Sequence, residues 1–173
     1  RQNPTQNLNF GYGLTDQIKR KVFNTWWNVY SFFTGYAIAD EFDPKRAPVP
    51  MAERQDIDRW LLGKLQELIR TGNDRLPEYD APSLVREAEE FIDAMSTWYV
   101  RRCRRRFWRA KNEDDRDKLA AYQTLYEALT TLCRVLAPII PFFTDKLYQN
   151  LVRSVDADAP ESVHHCPYPQ FDE

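Results

Sequence analysis

The residues best suited to chemistry in this 173-residue chain lie between Arg101 and Lys111. Arg101-Arg102-Cys103-Arg104-Arg105-Arg106-Phe107-Trp108-Arg109-Ala110-Lys111 carries six arginines and one lysine with no carboxylate, seven of the chain's 24 basic residues. A guanidinium is a planar fork that matches two phosphate oxygens and stacks on bases and aromatic rings. Phe107 and Trp108 interleave stacking surface, a combination shared by RNA-contacting segments. The same run also fits a solvated helix face, with its charges paired to Glu87, Glu89, Glu90 and Asp93 upstream or to Asp114, Asp115 and Asp117 downstream. Surface pairs of that kind add little stability.

Helical geometry divides the cluster. At about 100° per residue, the apolar stripe Leu84, Ala88, Phe91 and Met95 continues onto Tyr99, Arg102 and Arg106. Arg101, Arg104 and Trp108 fall on the opposite side, and Arg105 and Arg109 flank Trp98. This spacing assigns Arg101, Arg104, Arg105, Trp108, Arg109 and Lys111 to RNA contact. Trp98, Tyr99, Arg102 and Arg106 are assigned structural roles. The two arginines of that set either end in buried ion pairs or mark where the helix leaves the core.

Other reactive groups point to no catalytic or metal centre. His164-His165-Cys166 is contiguous rather than spaced for one helix face, and no second ligand pair lies near it. Gly11-Tyr12-Gly13 is a fragment of a phosphate-loop pattern with no strand before it. Cys103, Cys133 and Cys166 form neither a disulfide framework nor a CxxC pair, which suits a reducing, cytoplasmic setting. No carboxylate stands isolated among apolar neighbours, where its pKa would rise.

Positioning an arginine run requires a scaffold, and the scaffold reads as helical. Apolar residues make up 43% and charged residues 29%, inside the globular range, and the formal net charge of −2 gives no global pull toward a polyanion or anionic membrane. Five glycines against ten Phe, nine Tyr and five Trp argue against a glycine-turned β protein or a dinucleotide fold. No apolar run approaches a membrane span and no signal peptide is present. The chain begins at Arg1 rather than Met, which points to a segment of a longer polypeptide.

Ile18, Val22, Trp26, Val29, Tyr30, Phe33 and Ala37 place a first helix over 15–37, with Thr15 or Asp16 as its cap. Trp27, Phe23 and Phe32 lie off that stripe, so this helix is central or covered by another domain. Pro44, Pro48 and Pro50 mark an extended connector. A second helix starts near Asp56, carries Ile57, Trp60, Leu61, Leu65, Leu68, Gly72 and Leu76 as its stripe, and stops at Pro77. Asp80-Ala81-Pro82 opens a third helix that meets no breaker before about Asn112, roughly 45 Å at ~1.5 Å per residue. Acidic residues Glu113, Asp114, Asp115 and Asp117 start a fourth, ended by Pro138. Pro141 opens a fifth. The expected fold is all-α, a bundle of about five helices in one domain over 1–173, with a lead-in over 1–14 and an irregular tail over 154–173.

Beyond periodicity, several segments resemble a known family. Trp27-Asn28-Val29-Tyr30-Ser31-Phe32-Phe33, Asp58-Arg59-Trp60-Leu61-Leu62, Trp98-Tyr99-Val100-Arg101-Arg102 and Arg104-Arg105-Arg106-Phe107-Trp108 are similar to the isoleucyl-tRNA synthetases. So are Ala121-Tyr122-Gln123-Thr124-Leu125-Tyr126-Glu127-Ala128-Leu129, Leu136-Ala137-Pro138-Ile139-Ile140-Pro141-Phe142, Glu161-Ser162-Val163-His164 and Tyr168-Pro169. The likeness runs in order from about Asn24 to Pro169 and resembles the eukaryote-like branch, which also occurs in some bacteria.

The resemblance implies the helical anticodon-binding domain that follows a class I catalytic core. His-Ile-Gly-His and Lys-Met-Ser-Lys-Ser type signatures are absent, as is an editing domain, so this chain carries no active site and no cofactor of its own. The resemblance further implies that the parent is an ATP-dependent ligase using ATP and Mg²⁺. Implied partners are tRNA(Ile) and the catalytic and editing domains of the same polypeptide, in a cytoplasmic monomer that needs no membrane. His165-Cys166-Pro167 departs from the family pattern and is assigned no role. The family's further anticodon-reading segment has no counterpart here, so base-specific reading by this chain alone is not expected. The valine- and leucine-specific relatives share the bundle, and a protein-interaction bundle without an RNA role is the alternative from another class.

Overall fold

The computed structural model describes residues 11–110 and 115–172, and among them every regular element is helical. Helix α1 runs through Tyr12–Ile18, a π-helical turn Lys19–Asn24 and Thr25–Ala39. It starts three residues before the expected Thr15, and neither Thr15 nor Asp16 caps it. Thr15 instead turns its hydroxyl back onto the Gly11 carbonyl at 3.1 Å, because a residue one turn inside the helix faces a carbonyl rather than free N–H groups.

Helix α2 is Asp56–Arg75. Its buried face is Asp58, Leu61, Leu62, Leu65, Leu68, Ile69 and Gly72, rotated from the expected stripe so that Ile57 is only partly covered and Trp60 is exposed. Helix α3 comprises Ala81–Ala94, a π-helical turn Met95–Val100 and Arg101–Trp108. Asp80 caps it by accepting from Ser83 N at 3.2 Å, and Pro82 sits in its first turn, where no N–H is needed. Helix α4, Arg116–Leu136, is capped by Asp115, which accepts from Lys118 N at 2.8 Å. Helix α5, Pro141–Tyr148, continues into a π-helical turn Gln149–Arg153.

One apolar core joins all five helices. Leu61, Leu65 and Leu68 of α2 meet Leu84, Ile92 and Met95 of α3 and Leu125, Leu129 and Leu132 of α4, all fully buried, while Trp26 and Phe33 of α1 close another side. Cys103 and Cys133 lie within this core. The connector between α1 and α2 is pinned to α4. Gln123 accepts from Val49 N at 2.8 Å and donates to the Ala47 carbonyl at 3.1 Å, and buried Arg54 donates to Thr124 Oγ1 at 3.0 Å.

The segment after Ser154 is irregular except for a 3₁₀ turn, Val163–His165, yet it is tied down along its length. Asp145 accepts from Ser162 Oγ at 2.6 Å and Val163 N at 3.0 Å, and Arg134 donates to the Pro167 carbonyl at 2.7 Å. Tyr168 then presses its hydroxyl onto Gly72, and burial pushes the pKa of that hydroxyl up to about 12. A Cβ at Gly72 would overlap Tyr168 Oη, so α2 needs glycine there to accept the returning chain. Gly72→Ala is therefore expected to lower stability by about 1–3 kcal/mol. Urea unfolding checks this, and an unchanged midpoint would contradict the seating of Tyr168 against α2.

Candidate nucleic-acid interface

The π-helical turn Met95–Val100 decides which arginines of α3 face outward. Such a turn accommodates an extra residue and rotates all that follows relative to a regular helix. The buried stripe, which reaches Met95 as expected, then passes to Tyr99, Cys103, Arg106 and Phe107 rather than through Arg102. The rotation turns Arg102, which follows the turn, away from the core. Arg102, placed with the structural residues, is exposed, and so is Trp98, at 53%. The two meet on the surface, with the Arg102 guanidinium 4.2 Å from the Trp98 ring centroid.

Arg106 goes inward, where it is only 5% exposed. Its NH1 and NH2 each donate to Asp58 at 2.8 Å, one to each carboxylate oxygen, and NH2 also reaches the Asp117 carbonyl at 2.8 Å and its carboxylate at 2.9 Å. Tyr99 donates its hydroxyl to Asp58 at 2.6 Å, and Gln55 N donates to the same carboxylate at 3.2 Å. Asp58 is wholly inaccessible. Burial, and next the Asp58 charge, push the Tyr99 hydroxyl well above its ordinary range, so it remains a donor. Burial, the largest single influence, works against the Arg106 charge, but the hydrogen bonds to Asp58 together with the charge interactions with Tyr99, Asp58 and Asp117 outweigh it and raise the Arg106 pKa. The network joins α2, α3 and the start of α4.

The end of α3 is fixed by a second buried cation. Lys118, 5% exposed, donates to the Arg109 carbonyl at 2.6 Å and pairs with Asp40 at 2.7 Å, while Asp40 also accepts from the Tyr122 hydroxyl. Beside it Phe107 packs edge-on against Phe32 and Tyr122, with centroids 5.1 Å and 4.9 Å away.

What remains outside is a cationic surface. Arg101, Arg102, Arg104 and Arg105 are exposed and form no ion pair with a described residue, and Trp108 stands 57% exposed among them. Within the regular helix Arg101–Trp108 they span an arc of about 160°, from Arg104 to Arg102. Arg104 lies 6.0 Å from the Phe32 ring centroid. Arg109, placed with the RNA-contacting set, is held by Asp115 at 3.4 Å and Asp117 at 3.2 Å, so part of its charge is already neutralised. Lys111 and Asp114 lie outside the described residues.

Sequence reasoning missed Asp58 and Lys118 as groups that divide the arginines, whereas Asp115 and Asp117, which it offered as partners, do pair with Arg109 and, for Asp117, with Arg106 as well. A signal for Asp58 was available, since it precedes Leu61, Leu62, Leu65 and Leu68 at helical spacing. His164 and His165 are exposed on the 3₁₀ turn, and no group of three or more His, Cys, Asp or Glu among the described residues is placed to hold a metal ion. No helix among the described residues is long and apolar enough to cross a membrane.

Comparison with known proteins fits this geometry. Residues 58–173 match the family described as the anticodon-binding domain of tRNA ligase. The isoleucine–tRNA ligase of Clostridium novyi (strain NT) is 45% identical over 156 residues, covering 90% of this chain and 15% of that protein. The isoleucine–tRNA ligase of Thermus thermophilus is 46% identical over 170 residues, covering 98% and 16%. That of Bacteroides thetaiotaomicron is 43% identical over 171 residues, covering 98% and 14%. The chain thus spans about a sixth of the length of these curated relatives.

The buried network generates a stability prediction. Arg106→Met leaves the Asp58 carboxylate inside without its bidentate partner and should cost about 3–5 kcal/mol. The double variant Asp58→Leu/Arg106→Met, which removes both charges, should recover much of the loss. Chemical denaturation distinguishes the outcomes, and a single variant within ~1 kcal/mol of the parent would contradict the pairing described.

Proposed function

Because the chain belongs to the family of anticodon-binding domains of tRNA ligases, we propose that it holds tRNA(Ile) for an isoleucine–tRNA ligase whose catalysis takes place elsewhere in the polypeptide. The observation that carries this reading is the cationic arc of α3: Arg101, Arg102, Arg104 and Arg105 exposed and without carboxylate partners among the described residues, in a chain whose net charge is −2. Phosphate contacts position a nucleic acid without reading its sequence. In this reading the arc sets the orientation of the tRNA, and the parent's catalytic and editing domains act on the end so presented. ATP and Mg²⁺ belong to the catalytic domain, with the whole enzyme working as a cytoplasmic monomer. Isoleucine, rather than valine or leucine, is favoured by the high identity to isoleucine–tRNA ligases across nearly the whole chain.

A rigid arc is an advantage for this role. The buried Arg106 and Lys118 anchors fix α3 from within, so the exposed guanidinium groups are presented without ordering the helix on binding. Replacing Arg101, Arg104 and Arg105 together with Ala should weaken tRNA binding and flatten the slope of log K against log salt by about 2–3, the value for three lost phosphate contacts at ~0.7–0.9 each. Filter binding at several salt concentrations measures it. An unchanged slope would remove these residues from the interface, and no saturable tRNA retention by the unaltered chain would turn the reading toward protein docking.

A further inference from the structure

The part of α1 from Thr25 to Ala39 contains no charged side chain in fifteen residues. Its inner face, Trp26, Val29, Tyr30 and Phe33, is buried in the bundle. The outer face lacks the charges that a solvated helix face carries. It reads Trp27, Ser31, Thr34, Gly35 and Ile38, all on one side at helical spacing, with Trp27 44% and Ile38 78% exposed. Two large apolar residues thus stand about 16 Å apart along the helix, with small ones between them. Gly35 is unexplained by the packing of the described residues. A Cβ at that position would meet no atom within 4 Å, and its φ is not positive, so neither space nor backbone calls for glycine where alanine is the better helix former. Alongside this face, the valley between α1 and the end of α5 opens into a cavity of about 480 Å³. Phe42 and Tyr126 line it, Asn150 donates across it to Tyr30 Oη at 2.9 Å, and Ile38 and the half-exposed Val155 form its edges. Among the described residues that line it, Glu41 alone is charged.

We propose that this face receives a helix from the part of the same polypeptide that lies outside residues 1–173, with the two backbones closest at Gly35 and a bulky apolar side chain of that helix in the cavity between Ile38 and Val155. The proposal rests on the reading of the chain as one part of a longer ligase; it covers only 15% and 16% of two such relatives, so most of such a polypeptide lies elsewhere. The lack of charge identifies the kind of partner. Permanent interfaces resemble a domain core cut in half, whereas transient ones are more polar. A polyanion is disfavoured, because no Lys or Arg lines the cavity and the Glu41 carboxylate repels phosphate. A small molecule would fill the cavity and leave Trp27 and Ser31 bare, while a helix laid along α1 covers both, its ridge entering the groove over the small residues.

Ile38→Cys provides the test, because the side chain is exposed and its replacement leaves the core intact. Alkylation by iodoacetamide, read at position 38 by mass spectrometry, should be roughly tenfold or more slower in the full-length polypeptide than in the chain of residues 1–173, since a covered thiol reacts only from transiently opened states. Adding Gly35→Leu should restore the fast rate in the full-length polypeptide by holding the docked helix off α1. In the shorter chain Gly35→Ala should raise the urea midpoint, because the new methyl group meets only solvent. Equal alkylation rates in the two proteins would overturn the proposal. So would protection of position 38 in the shorter chain by tRNA, or by raising the chain's own concentration, which would give the face to RNA or to a second copy. A lower midpoint for Gly35→Ala would also overturn it, by returning the glycine to the chain's own packing. Absence of tRNA retention by the unaltered chain would instead overturn the tRNA-holding role, and the alkylation comparison would still decide the docking.

Discussion

The bidentate pair between Arg106 and Asp58 organises both the fold and the surface of this domain. A lone charge in a helical core is costly, so each member is tolerated only because the other is there, with Tyr99, Gln55 and Asp117 occupying further hydrogen-bonding positions. Once Arg106 is committed inward, α3 cannot rotate about its axis without leaving Asp58 unpaired. The orientation of every other arginine in the run follows from that constraint. Lys118 performs the same service at the end of the helix by joining Asp40, at the end of α1, to the Arg109 carbonyl just past α3. Two buried cations thus hold a set of exposed ones.

A consequence is that net charge says little about what the surface can do. The chain is slightly acidic overall, yet its acids are unevenly distributed. Asp58 is buried against Arg106, Asp117 reaches both Arg106 and Arg109, and Glu90 and Asp93 lie in a cleft between α1, α2 and α3. Arg101, Arg102, Arg104 and Arg105 are left unopposed by the described residues, and a local field of that kind steers a polyanion whatever the sign of the whole. The helix is long because it must both enter the core, through Leu84 to Met95, and carry this display onward.

Much of the fold is legible because punctuation in this sequence is strong. Pro77, Pro138 and Pro141, the Asp80-Ala81-Pro82 start and the acidic residues before α4 bound their helices within a few residues. Tyr99 and Trp26 fall on stripes that regular geometry predicts, and both are buried. Counting at ~100° per residue fails where the backbone departs from regularity. The π-helical turn at Met95–Val100 leaves no mark in residue type, so regular counting carries an offset beyond it and puts Arg102 on the buried stripe, where Cys103 and Phe107 lie instead. Asp58 escapes for another reason. A carboxylate looks solvated by type, and only its partner, 48 positions away in the chain, reveals that it is buried. The role of Lys118 likewise depends on tertiary partners, Asp40 and the Arg109 carbonyl.

The sorting of the arginines, one inside and four exposed at the surface, is open to direct chemical test. Phenylglyoxal reacts with accessible guanidinium groups, and mass spectrometry of the chain with and without saturating tRNA reads the modification residue by residue. Arg101, Arg102, Arg104 and Arg105 should react in the free protein and be protected by tRNA, while Arg106 stays unreactive in both states. Ready modification of Arg106 in the folded chain, or four reactive arginines that tRNA leaves unprotected, would contradict that sorting.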